Sequence, residues 1–309
     1  MAYYTGSVTS FAELLTVLIS NCEAHGWAWN SGAATLHKGA AFVQLVAAEN
    51  MGLSALGKTS LAGGDAPNIV KIGYRISGAN VDFPATYHLH IVGDEVYLLL
   101  NFNVDRWQWL CFGLAGVEGL PGTGCFVAAT MGGVSEPCNP SIYMGPDAGG
   151  GNHGSTGTLA PLPFYSTLAY GTSRWNIGPR NSFFNSGLVA GSEWALAYQN
   201  ASGEPPGIRP LAPLLGLQPS QRNGESVLLP IRAWKQMPEK KIALCGELAA
   251  ARFLRIDNLE PGDILTLGHE QWKVYPGYRK NTAQRNGGNG HAIDHSGTFG
   301  WCIRYEVGA

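Results

Sequence analysis

Only one segment of this chain carries the pattern of an α-helix, and nearly every other periodic segment reads as a short strand. Ser10 and Glu13 form an S-x-x-E capping box. Phe11, Leu14, Leu15, Leu18, Ile19 and Cys22 then fall on one helical face before Gly26. Downstream, extended runs are predicted at Trp27 to Asn30, Ala40 to Ala47, Ile69 to Ser77, Thr86 to Val92, Glu95 to Asn103 and Trp107 to Gly113. Gly93-Asp94 forms a two-residue hairpin turn between two of them.

Further runs are predicted at Val227 to Trp234, Ile242 to Leu248, Arg252 to Ile256, Ile264 to Leu267, Gln271 to Tyr275 and Phe299 to Val307. Glu260-Pro-Gly-Asp263 has the type II turn signature, and Gly268-His-Glu270 a tight hairpin. The fold class expected is α+β, predominantly antiparallel β, with one N-terminal amphipathic helix and long Gly-rich loops. Three regions follow. Residues 1–116 form a helix-on-sheet domain, 117–224 a Gly/Pro-rich loop region packed on or between domains, and 225–309 a small antiparallel sandwich or barrel.

Composition explains the middle region. The chain holds 42 glycines and 18 prolines in 309 residues, well above ordinary use, and much of the excess lies between Val117 and Gly224. Gly149-Gly-Gly-Asn-His-Gly154 and Glu204-Pro-Pro-Gly207 are examples. Phe164, Tyr165, Trp175, Phe183, Phe184 and Trp194 are too large and too many for a disordered linker, so these loops are expected to fold over a core or into an interface.

Charged residues make up only 14% and the formal net charge is −2, so no general attraction to nucleic acid is built in. A surface this neutral does little to oppose association, which suggests contact with neighbouring copies or partners. The N-terminus has no basic start and no apolar run with a cleavage site. No stretch approaches eighteen consecutive apolar residues, so neither a signal peptide nor membrane insertion is expected. Cys22, Cys111, Cys125, Cys138, Cys245 and Cys302 are scattered in mostly apolar contexts, the pattern of buried thiols made in a reducing cytosol. A single bridge such as Cys125 to Cys138 stays open.

Candidate chemistry is thin. Gly52-Leu-Ser-Ala-Leu-Gly-Lys58-Thr59 fits the phosphate-loop pattern, but that loop needs a helix starting at the lysine, and Gly63-Gly-Asp-Ala-Pro67 intervenes. His88 and His90 share one face of a strand at a spacing able to chelate a metal. With no third ligand identifiable, a surface or interface pair is the preferred reading, and His291, Asp294 and His295 form a separate polar cluster.

Trp107 and Trp109 likewise share a strand face. Core packing or a subunit contact is preferred over a stacking platform for a sugar or base. No G-x-S-x-G is present, and His153 beside Gly154-Ser-Thr-Gly157 does not make a triad. Asp94 and Glu95 point to opposite faces of an extended chain and cannot flank one glycosidic bond. The residues therefore predict no catalytic, cofactor-binding or metal site, and no enzyme.

Particular strings are more specific. They include Tyr3-Tyr-Thr-Gly-Ser-Val8 leading into the helix, Gly26-Trp-Ala-Trp29, Asp94-Glu-Val-Tyr97, Asn103-Val-Asp-Arg-Trp107, Phe112-Gly113, Arg174-Trp-Asn176 and Arg180-Asn-Ser-Phe183. Further on come Leu228-Leu-Pro-Ile-Arg232, Trp272-Lys-Val-Tyr-Pro276, Arg279-Lys-Asn281, His295-Ser-Gly-Thr-Phe-Gly-Trp301 and Arg304-Tyr305. Spread over nearly the whole chain, they resemble virion structural proteins of tailed bacteriophages, of the kind encoded among tail and baseplate genes.

The resemblance implies a non-enzymatic component made in the host cytoplasm and built into the virion in many copies. It would touch its own copies and other tail or baseplate proteins, with three-fold or six-fold cyclic symmetry about the tail axis as the natural arrangement. It carries over no catalytic residue. The alternative is a tail-tip module recognising host-surface glycan through Trp107 and Trp109, and a cell-wall or glycan hydrolase ranks last.

Overall fold

The computed structural model describes residues 1–49, 52–73, 81–132, 162–164, 182–187, 194–196, 227–236, 242–256, 258–277, 280 and 299–306. In chain order the elements begin with β1 (Ala2–Val8), α1 (Phe11–Glu23), β2 (Ala28–Asn30), β3 (Thr35–Lys38), β4 (Ala41–Ala48), β5 (Gly52–Lys58) and β6 (Val70–Ile72). There follow β7 (Ala85–Val92), β8 (Glu95–Phe102), β9 (Arg106–Leu114), β10 (Cys125–Ala129), β11 (Met131–Gly132), β12 (Ser182–Asn185) and β13 (Trp194–Leu196). The last are β14 (Leu229–Gln236), β15 (Ile242–Arg255), β16 (Ile264–Leu267), β17 (Glu270–Pro276) and β18 (Phe299–Tyr305). Antiparallel β-structure thus dominates, with a single helix among the described residues.

That helix starts where its side chains can satisfy the free amides of its first turn. Ser10 Oγ accepts from the Glu13 N–H at 3.1 Å. Glu13 reaches back one residue further than usual, to the Thr9 N–H and hydroxyl at 2.6 and 2.7 Å. These bonds to the ionised form hold the Glu13 carboxyl below its ordinary range. Phe11, Leu14, Leu18 and Cys22 form the buried stripe. Ser10→Ala is expected to lower stability by about 1 kcal/mol, read as a lower urea midpoint at unchanged m-value.

The strands form three sheets. A central seven-stranded sheet runs β1-β7-β8-β9-β10-β12-β13, a six-stranded sheet β11-β6-β5-β4-β3-β2, and a five-stranded sheet β14-β15-β18-β17-β16. The central sheet is buried on both faces. Along β8, Val96, Leu98, Leu100 and Phe102 join α1 and the six-stranded sheet in one core, whereas Tyr97 and Leu99 join the five-stranded sheet in another. Strands β9 and β10 divide in the same way: Leu110, Phe112 and Val127 face one core, and Trp109, Cys111 and Phe126 the other. Period-two alternation, which in a half-exposed sheet separates apolar from polar, here separates two apolar sets.

The C-terminal strands accordingly make one sheet rather than a sandwich or barrel of their own, because the central sheet supplies the second layer. The segments predicted separately at Ile242 to Leu248 and Arg252 to Ile256 are one bent strand, β15.

Within the middle region, Phe126, Phe164, Phe183, Phe184 and Trp194 are buried. Trp194 lies over Gly57, where an added Cβ would come within 2.5 Å of its ring, and its indole N–H donates to the Gly64 carbonyl at 2.8 Å. Tyr165 and Trp175 lie outside the described residues, as do Cys138, His153, the 149–154 and 204–207 glycine runs, and His291, Asp294 and His295. The five described cysteines are buried. Burial pushes the Cys125 thiol up to about 12, and those of Cys22, Cys111 and Cys302 also above their ordinary value. No described helix is long and apolar enough to cross a membrane.

Candidate functional site

Polar chemistry is drawn into the contact between the central and five-stranded sheets, at two places. The first is a bulge in β15. Pro230 pairs with Arg252 and Arg232 with Glu247, so two steps along β14 span five along β15. A bulge of that size strands backbone amides and carbonyls away from the ladder, and two charged side chains take them up. Glu95, at the start of β8, accepts from the Ala249 N–H at 2.8 Å through Oε1 and from the Ala250 N–H at 2.9 Å through Oε2. Its Oε2 also accepts the Tyr97 hydroxyl at 2.8 Å. From the other side, Arg252 Nη1 donates to the carbonyls of Leu248, Ala249 and Ala251 at 2.7, 3.1 and 2.8 Å, with its guanidinium 5.2 Å from the Trp272 ring centre.

Glu95 is only 3% exposed. Burial raises its carboxyl above the usual range, while the three donors and Arg252 pull it back down. Neighbouring Asp94, by contrast, faces solvent and pairs with Lys38 at 3.1 Å. The two carboxylates therefore part to different surroundings, Asp94 in the hairpin turn and Glu95 at the start of β8.

The second place holds His88 and His90 of β7. Their shared face turns toward the five-stranded sheet and is covered by Tyr3 from β1, Trp107 from β9, Lys273 and Tyr275 from β17, and Tyr305 from β18. His90 is fully buried. Its Nε2 lies 2.8 Å from the Tyr275 hydroxyl and its Nδ1 3.3 Å from the Arg304 carbonyl. His88 Nδ1 lies 2.7 Å from the Tyr3 hydroxyl, and its ring stacks on Trp107 with centroids 5.3 Å apart. Desolvation, with the nearby Lys273 charge, lowers His88 to about 4 and His90 to about 3. Burial also lowers Lys273.

The remaining sequence candidates resolve individually. Gly52–Lys58 is strand β5, not a phosphate loop, and Lys58 pairs with Asp65 at 2.8 Å. Trp107 and Trp109 are 5% and 0% exposed. Trp109 packs edge-on against Trp301 with centroids 5.5 Å apart, so the pair is core rather than a platform open to solvent. No group of three or more His, Cys, Asp or Glu side chains able to hold a metal occurs among the described residues. Compared with known proteins, the chain matches no family model and no curated protein.

Sequence reasoning missed the Glu95–Arg252 clamp. Its trace was a lone carboxylate opening the apolar run Val96-Tyr-Leu-Leu-Leu100 and a lone arginine following Leu248-Ala-Ala-Ala251. Each is a charge placed where burial demands a partner.

Proposed function

We propose that this protein is a non-enzymatic, multi-copy structural component of a tailed-phage virion, in the tail or baseplate, acting through contacts between subunits. The resemblance in sequence supports this, and one structural observation carries it. Strand β16 ends the five-stranded sheet, and no strand pairs with its outer side among the described residues. It nonetheless presents Ile264 and Leu267 at 43% and 49% exposure. Solvent-facing sheet edges are ordinarily blunted by charge or proline, so an apolar edge fits addition of a neighbour's strand or surface.

The charge-poor composition points the same way, since interface cores are depleted of charge. In this reading the stacked sheets hold shape, and the apolar edge at β16 meets a neighbouring subunit. The alternative, a glycan-recognising module of the tail tip, would have to use aromatics other than Trp107 and Trp109.

The test is peptide mass spectrometry on gradient-purified particles of the encoding phage. The chain is expected to co-sediment with intact particles at several copies each, and particles that lack it would overturn the proposal.

A further inference from the structure

The two faces of the central sheet are held by different means. Toward α1 and the six-stranded sheet the contact is made of carbon side chains such as Val8, Leu89, Ile91, Val96 and Phe112. Toward the five-stranded sheet, one end of the contact is a cluster of titratable groups around His88 and His90. The Arg304 carbonyl can only accept, so His90 Nδ1 carries the proton and Nε2 accepts from the Tyr275 hydroxyl. His88 Nδ1 lies 2.7 Å from the Tyr3 hydroxyl on the neighbouring strand β1.

The arrangement at His90 is satisfied when its imidazole is neutral. A proton added there leaves both ring nitrogens donating, so Tyr275 can no longer donate its hydroxyl proton to the ring, and the new charge sits fully buried between the two sheets.

We propose that this histidine contact is an acid-sensitive latch, by which protonation of His88 and His90 frees the five-stranded sheet from the central sheet while α1 and the first core stay folded. The surroundings offer no compensation. Facing the histidines are Tyr3 and Thr5 from β1, Trp107 from β9, Lys273 and Tyr275 from β17, and Tyr305 from β18. The Lys273 ammonium opposes added positive charge on either imidazole, and the Arg304 guanidinium is engaged by Glu270 at 3.1 Å.

The sign follows from linkage. Both histidines are held below the ordinary value of about 6.5, so between there and about 4 the released state binds two protons that the latched state does not. The ratio of latched to released molecules then falls by up to about a hundredfold per pH unit. Glu95, in the same contact, is shifted upward and contributes with the opposite sign.

Pulsed hydrogen exchange on the full chain between pH 7.5 and 4, corrected for intrinsic rates, tests the latch. Amides of β15, β17 and β18 are expected to lose at least about tenfold protection below pH 6 while those of β4 and β5 keep theirs. In H88Q/H90Q, where glutamine at 90 can still donate to the Arg304 carbonyl and accept from Tyr275, the loss should move down by about a pH unit or more. Simultaneous loss in both cores of the unaltered protein, or an unmoved transition in the double variant, would overturn the proposal. Should the double variant fail to fold at neutral pH, the comparison of layers in the unaltered protein decides, with H88Q as the milder variant.

Discussion

Glu95→Ala lowers the stability of this fold by about 3–5 kcal/mol, because it removes the acceptor from three buried or half-buried donors at once. The Ala249 and Ala250 amides sit in a bulge whose geometry takes them out of the β14 ladder, so no neighbouring strand can receive them. The Tyr97 hydroxyl, fully buried, loses its partner too. Arg252 adds to the cost, since its three carbonyl acceptors hold position only while the bulge is anchored from the other side.

Glu95→Gln separates shape from charge. The amide oxygen can replace Oε2 toward Ala250 and Tyr97, but the amide NH2 then faces the Ala249 N–H, donor against donor. About 1–3 kcal/mol should be lost, less than in the alanine variant. Urea unfolding followed by tryptophan fluorescence reads both values. Equal losses in the two variants would mean that volume rather than acceptor geometry explains the role of Glu95.

The clamp also shows what could be read in advance and what could not. Local signals were legible. Ser10, Glu13 and the spacing of Leu14, Leu18 and Cys22 specify a helix that tertiary contacts need not override. The type II signature at Glu260-Pro-Gly-Asp263 corresponds to a turn with Gly262 at φ 96° and the Asp263 amide bonded to the Glu260 carbonyl at 3.1 Å. The layer order was harder to see, because it depends on which residues lie opposite one another across the sheet stack.

Tyr97-Leu-Leu-Leu100 carried the clue. A run apolar at every position implies burial on both faces, but nothing local says that the second face belongs to strands about 150 residues away. Strand β5 was obscured by its own glycines. Gly57 reads as loop in one dimension, yet it is required where the Trp194 ring lies against the strand. The histidines were placed on one face correctly from their spacing. That the face looks at Tyr275 and the Arg304 carbonyl, and not at solvent or a metal, depends on contacts 185 and 214 residues away in sequence.

Trp109→Ala should be at least as damaging as the loss of Glu95, at about 3–5 kcal/mol, and for a different reason. Trp109 is fully buried between the central and five-stranded sheets, with Trp301 edge-on to its ring and Phe126 and Phe253 in the same core. Its backbone is fixed on both sides by Thr130, whose hydroxyl accepts from the Trp109 N–H at 2.7 Å and whose N–H donates to the Trp109 carbonyl at 2.8 Å. The strand therefore has little freedom to collapse into the space an alanine would leave, and a cavity that cannot collapse costs most. Trp109→Phe retains most of the contact and should lose about 1–2 kcal/mol. The pair also bears on glycan recognition. If glycan binding, where present, falls in Trp109→Ala only in proportion to the unfolded fraction and survives in Trp109→Phe, the residue supports the layers and takes no part in recognition. Selective loss of binding in a folded Trp109→Phe, with its urea midpoint within about 1 kcal/mol of the unaltered protein, would instead require the indole to reach ligand from a buried position, which the packing against Trp301 does not allow.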